Sequence, residues 1–300
     1  MHKKTKIWII VALCLVAAGC AVFGAVMAEL DGDFTKLSTT EYVTNTYDIG
    51  ENFSSIDLDT DTADITFALS ADGKCVVECF EEKNAGHKVE VKEGTLHIRR
   101  FDERSLFEYI GINMDSSRIK ISLPQAQYDS LIIRGSTGDV EMPGDFSFGD
   151  VDVQLSTGHV RFAASAKTLL KIKVSTGDIT LEDVSAETLD LSVSTGKTFL
   201  TDVRCADLVS GGATGDITLK NVVATGKMSI TRSTGDICFD ACDAAQLFLE
   251  TDTGDVKGSL LTQKIFFVEA DTGSVDIPES RTGGECRVST DTGDVRITLY

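Results

Sequence analysis

At 300 residues, 42% of them hydrophobic, the chain is long enough to bury a substantial core, and with only 3 Pro and 26 Gly it is neither collagen-like nor disordered. Lys and Arg number 28 against 47 Asp and Glu, a formal net charge of −19. That balance repels nucleic acid and anionic headgroups at long range, so nucleic-acid binding is excluded and cations or basic partners are favoured.

Residues 1–6 form a basic tail carrying Lys3, Lys4 and Lys6, and an uncharged run from Ile7 to Ala28 follows it. About 20 apolar residues in a helix cross a bilayer, so this run is long enough to do so. Lysines on one flank and the acids Glu29, Asp31 and Asp33 on the other predict a single-pass anchor over 7–28 with a cytoplasmic N-terminus. Two other readings stay open. Ala17-Ala18-Gly19-Cys20 is a weak lipobox, and Val26-Met27-Ala28 fits a signal-peptidase site. All three export residues 29–300, of which 29–40 read as a stalk.

Residues 41–130 read as degenerate β coils with inserted hairpins. Ile56-Asp57-Leu58 through Asp64-Ile65 has the pattern of a later repeat, with Ala63 where glycine would stand. Strand-like alternation follows around Val76–Phe80, His87–Val91 and Leu96–Phe101, with turns at Lys83–Gly86 and Glu93-Gly94. The apolar stretch Leu106, Phe107, Tyr109 and Ile110 is either a cover for an end of the fold or a contact surface.

From residue 131 to 300 the chain is periodic. Thr-Gly recurs in phase at Gly138, Gly158, Gly177, Gly196, Gly215, Gly235, Gly254, Gly273 and Gly293. The period is about 19–20 residues, in the range of solenoid repeats. Apolar residues alternate with polar ones on both sides of each glycine, as in Leu189, Leu191 and Val193 before Gly196. Period two puts one face inward, and glycine supplies the positive φ of a tight corner. A repeat this short has no room for a crossover helix. The expected fold is therefore all-β, a single-chain parallel β-solenoid with one coil per repeat, preceded by one transmembrane helix.

Stacked coils turn equivalent residues into columns about 4.8 Å apart. The column after glycine reads Asp139, His159, Asp178, Lys197, Asp216, Asp236, Asp255, Ser274 and Asp294. In the last three coils Asp252, Asp271 and Asp291 add a second acidic column. Asp252, Asp255, Asp271, Asp291 and Asp294 are thus the candidate ligands for Ca2+, a hard cation that takes oxygen donors. The plainer expectation is that these acids cap turns. No other cofactor is expected.

Cys242 and Cys286 fall at inward positions and Cys205 in a corner column otherwise held by Ala186, Ala224 and Ala244, all three as core fillers, and Cys75 and Cys79 share one strand face too far apart to bond. His87, His97 and His159 fit no catalytic or metal-ligand spacing. The outward face is expected to lack aromatic platforms for sugars, so no catalytic residue is assigned. The chain ends at Tyr300 directly after the strand-like Arg296–Leu299, an uncapped edge that invites a homo-oligomer.

Ser-Thr-Gly-Asp-Ile/Val, repeated at this interval behind an N-terminal membrane segment, resembles a bacterial "putative adhesin" family of unknown function with β-strand repeats. The resemblance runs from Ile56-Asp57 to Val295-Arg296 and implies a cell-surface binding module without catalytic activity. Its partner would be a cell-wall or surface component or a membrane protein. Some relatives of that kind are linked to envelope stress, which implies a regulatory alternative. A carbohydrate-active β-helix enzyme is the second alternative.

Overall fold

The computed structural model describes residues 3–32, 41–105 and 115–300. Helix α1 (Lys3–Glu29) is long and apolar enough over Thr5–Glu29 to cross a membrane, a character that a signal sequence near an N-terminus shares. Leu106, Phe107, Tyr109 and Ile110 lie outside the described residues, as does most of the expected stalk.

The rest is β-structure. The N-terminal strands are β1 (Tyr42–Ile49), β2 (Ser55–Asp59), β3 (Asp64–Leu69), β4 (Cys75–Glu82), β5 (Ala85–Lys92), β6 (Thr95–Asp102) and β7 (Arg118–Leu123). Then long and short strands alternate: β8 (Gln127–Thr137), β9 (Val140–Met142), β10 (Ser147–Thr157), β11 (Val160–Phe162), β12 (Ser165–Thr176), β13 (Ile179–Glu182), β14 (Ser185–Thr195) and β15 (Thr198–Thr201). The alternation continues through β16 (Arg204–Thr214), β17 (Ile217–Lys220), β18 (Val223–Thr234), the long β19 (Ile237–Thr253) and β20 (Val256–Leu260). The last four are β21 (Lys264–Thr272), β22 (Val275–Asp276), β23 (Gly284–Thr292) and β24 (Val295–Leu299).

Each long strand pairs in parallel with the long strands of the coils beside it, and each short strand with the short ones, so the parallel solenoid is as expected. One continuous core runs between the two ladders, from Ile56 to Ile297. The period-two pattern fills it: Val153, Ile172 and Leu191 enter from long strands, Phe162, Leu181 and Leu200 from short ones. Cys205, Cys242 and Cys286 are core fillers as expected, and all eight cysteines are free.

The corner glycines are required for two reasons. Eight of the nine have φ between 125° and 154°, a region closed to residues with a side chain. In all nine a Cβ would also lie 1.9–2.3 Å from the carbonyl oxygen of the neighbouring corner. A second corner, after the short strand, uses the left-handed conformation at Asp183, Asp202 and Asn221, with φ of 53–55°, which short polar side chains tolerate.

The order of the coils in space departs from their order in the sequence. Stacked corners run Ala63, Gly138, Gly158, Gly177, Gly196, Gly215, Gly235, Gly254, Gly293, Gly273. The C-terminal coil is threaded between its two predecessors: β23 pairs with β19 and β21, and β24 with β20 and β22. The expected free edge at Arg296–Leu299 is therefore covered by β22 only at Arg296, Ile297–Leu299 pairing with β20 alone, and the outermost coil is β21–β22. The buried Lys264 spans the intervening layer to Asp243, 2.5 Å away, and pins the outer coil to the stack.

The other end mirrors this threading. The first coil sits inside the stack, β2 between β6 and β8, and β3 between β7 and β9. Beyond it the chain reverses. Strand β5 runs antiparallel to β6, β4 antiparallel to β7, and β1 antiparallel to β4.

Candidate functional site

The acidic column proves to be a relay of carboxylate and backbone amide. Asp64 accepts from the amide of Asp139 at 3.0 Å, and Asp139 accepts from that of His159 at 2.8 Å. Further along, Asp178 accepts from the amide of Lys197, Asp216 from that of Asp236, and Asp236 from that of Asp255. The relay follows the threaded order at the end, Asp255 accepting from Asp294 at 2.7 Å and Asp294 from Ser274 at 2.8 Å. Each acid thus satisfies an amide that the corner leaves outside the ladders. The Lys197 side chain has no acceptor and instead pairs with the Asp216 carboxylate at 3.0 Å.

These contacts favour the charged carboxylates. The hydrogen bond from Lys197, and then the Asp236 amide, hold Asp216 below the usual carboxylate range. Lys257 does so for Asp255, and the Ser274 amide and hydroxyl for Asp294. Of the five candidate Ca2+ ligands, Asp255 and Asp294 therefore already use an oxygen on an amide. Threading places the exposed Asp252, Asp291 and Asp271 in successive coils, in that order.

A different set of potential ligands meets inside the N-terminal end. Among the described residues, Cys79, Glu81 and His87 are the one group of three whose donor atoms all lie within 4.8 Å of one another. Cys79 and Glu81 lie two apart on the inward face of β4, and His87 enters from β5 across the turn. Glu81 is 1% exposed, and Gly86 leaves room for it: a Cβ there would lie 2.5 Å from the Glu81 carboxyl carbon.

The group is closed by its own hydrogen bonds. His87 Nδ1 lies 2.8 Å from Glu81 Oε2, and His87 Nε2 lies 2.9 Å from Thr60 Oγ1. Asn45 donates to Glu81 Oε1 at 2.8 Å, and the Tyr47 hydroxyl donates to the His87 carbonyl at 2.9 Å. Burial, with the Glu81 carboxylate behind it, pushes the Cys79 thiol up to about 12, so it is an unreactive thiol. With both carboxylate oxygens and both ring nitrogens partnered, the arrangement ties β1, β4, β5 and the first coil together.

The surface that remains available lies on the outward face of the last coils. Phe248 and Phe267 project there from β19 and β21, with Ser229 and Arg287 in the same column, and they line an open groove of about 420 Å³. The Lys227 ammonium lies 4.5 Å from the centre of the Phe248 ring, and the Arg287 guanidinium 5.0 Å from that of Phe267. Glu250 and Glu269 complete the rim. Nearer the N-terminus the same column holds Asp152, Lys171 and Asp190 instead. The expectation of an outward face without aromatic platforms is thus corrected at this end. Two phenylalanines one repeat apart in sequence share a column only through stacking, with Arg287 of the threaded coil between them, which is why linear reading undervalues them.

One further feature has no clear signal in the sequence. Arg232 is 2% exposed inside the core, beside Gly212, whose missing side chain admits it. It donates to the carbonyls of Ser210 and Thr231 and to the hydroxyls of Thr198 and Ser210. Burial lowers its pKa to about 10.

The Toastrack DUF4097 family matches residues 53–298. None of the curated proteins matches the sequence. A "putative adhesin" structure from Bacteroides fragilis is 20% identical, with 74% of this chain and 98% of that one covered and a TM-score of 0.55. A "putative adhesin" from Parabacteroides distasonis is 12% identical, with coverage of 87% and 98% and a TM-score of 0.52. At these identities the likeness is one of fold.

Proposed function

The chain belongs to the Toastrack DUF4097 family, and on that premise we propose that it is a membrane-tethered surface-binding module that acts without turnover. The observation that carries this reading is the groove between Phe248 and Phe267 on the outward face of the last coils, rimmed by Arg287, Lys227, Glu250 and Glu269. An exposed ring at Phe267 and a half-buried one at Phe248, with hydrogen-bonding groups around them, suit an extended polymer such as a wall glycan, whose sugar faces stack on aromatics while hydroxyls meet the charged rim. Helix α1 would hold the module in the membrane with its N-terminus in the cytoplasm, as the flanking lysines favour. Strand β1 enters at the end of the solenoid opposite the groove, which supports presentation of the groove away from the anchor.

The test is cosedimentation of the full chain, in detergent, with purified cell wall, with and without Ca2+. Saturable pelleting that weakens about tenfold in Phe248→Ala and Phe267→Ala supports the reading; equal pelleting of the variants overturns it. Dependence on Ca2+ would bring the Asp252, Asp291 and Asp271 column into the site.

A second reading rests on the acidity of the molecule: a regulatory protein that binds a cationic compound on its acidic surface. Binding of a cationic peptide that falls steeply with salt, together with no affinity for wall, would favour it.

A further inference from the structure

The threaded C-terminus leaves β21–β22 as the outermost coil, and this coil is unfinished in three respects. On its free side β21 has no partner strand among the described residues. Its inward side chains Phe266, Val268 and Ala270, with Ile277 after β22, are only partly buried against the core. Ile265, Phe267 and Val275 are 38%, 50% and 47% exposed. At the opposite end the edge strand β1 likewise has one ladder partner among the described residues and partly buried Tyr47 and Ile49, but there Asn45 and Tyr47 tie it to the Glu81–His87 network.

We infer that the β21 edge pairs with the β21 edge of a second copy, antiparallel and centred on Val268, so that two solenoids join end to end through one continuous sheet.

The strand's own pattern specifies this partner. Val268 is the midpoint of Lys264–Thr272, so a two-fold axis there pairs the strand over its whole length. Inward, Phe266 lies opposite the partner's Ala270, a large side chain against a small one, and the two Val268 side chains meet at the axis. Outward, Phe267 faces the partner's Glu269, and Ile265 faces the partner's Asp271. No acid opposes an acid. Shifting the axis by one residue to Glu269 would set the two Glu269 carboxylates against each other, which cross-strand pairing disfavours. Shifting it the other way, to Phe267, leaves Phe267 opposite itself but shortens the overlap. A two-fold contact closes on itself and yields dimers rather than filaments.

The geometry has a consequence for function that does not depend on the groove's ligand. Layers stack at about 4.8 Å, so tail-to-tail pairing sets the two anchor ends roughly 100 Å apart and facing away from each other. Such a dimer suits copies held on opposed surfaces. It also brings the two Phe267 side chains onto one face, which doubles the groove and raises its avidity for a polymer.

The test uses exposed Ile265, whose replacement leaves the core untouched. Ile265→Asp would face the partner's Asp271, whereas Ile265→Lys would face the same residue with opposite charge. Sedimentation of the full chain in detergent should show a dimer, weakened about tenfold or more by Ile265→Asp and by no more than about threefold by Ile265→Lys. In a chain with Cys14 and Cys20 replaced by Ser, Val268→Cys should form a disulfide between copies on mild oxidation, since directly opposed residues lie within bonding distance. A strict monomer, equal effects of the two Ile265 variants, or no disulfide at Val268→Cys would each overturn the inference.

Discussion

The two ends of the solenoid receive the chain in the same way and finish differently. At each, the first or last coil in sequence is threaded one layer inward. At the N-terminal end the outer layer is followed by β5, β4 and β1, all running antiparallel, and a buried network of Glu81, His87, Asn45, Tyr47 and Thr60 locks them in place. At the C-terminal end the parallel ladder stops. A parallel edge is a template for another strand, and reversing direction with a polar lock is one way to terminate it. The molecule therefore has one end closed by a polar lock, where β1 still has a single ladder partner among the described residues, and one open end whose edge strand β21 carries Phe266 and Val268 only partly buried; the aromatic groove lies beside the latter.

The largest expected effect tests whether the coils differ in how far a defect spreads. Gly177→Ala places a Cβ 1.9 Å from the Gly158 carbonyl oxygen at a φ of 136°, and should cost about 3 kcal/mol in denaturant unfolding. Gly273→Ala meets a similar clash in the outermost coil. That coil can lift away, so Gly273→Ala should leave the global midpoint nearly unchanged and only loosen β21–β22. Equal global losses would show that the outer coil is as tightly coupled as an interior one.

Breaking the lock at the closed end comes next. Glu81→Ala takes the carboxylate away from buried His87 and half-buried Asn45 and should cost about 3 kcal/mol, read as a lower denaturation midpoint. At the open end, Lys264→Met removes the buried tie to Asp243. Its effect should be local, with amide exchange in β21 about tenfold faster and little change in β4 or β5.

The smallest effects belong to the acid relay. Asp236→Ala uncaps the Asp255 amide and should cost about 1 kcal/mol, whereas Ser274→Ala should cost less, because it uncaps no amide and loses only the exposed hydroxyl bond to Asp294. The relay also sets a pH response. Asp216, Asp255 and Asp294 have folded pKa values below the ordinary 3.8. Their contribution to stability is complete above that value and is lost as the pH falls through the lowered ones. Asn at the three positions should flatten the acid side of a stability-against-pH curve.

The solenoid itself is written in the sequence. One in-phase Thr-Gly per repeat defines the coil, because only glycine fits a corner whose Cβ would strike the next carbonyl, and alternation dictates which side chains enter the core. The core-filling placement of Cys205, Cys242 and Cys286 is legible for the same reason. The order of the end coils is not. Every coil presents the same parallel edge and a similar Thr-Gly corner, so local pattern allows any coil to stack on any other. Side chains that cross layers, such as Lys264 to Asp243, choose among the stackings. One trace of that choice is present in the sequence: Ser274 is where the relay ends, and an outermost coil has no further amide to cap. The Glu81–His87 network is legible only in part, since period two puts Cys79 and Glu81 on one face but says nothing of Thr60, Asn45 or Tyr47. Those partners come from β1 and from the residue after β2, and packing alone brings them to β4 and β5.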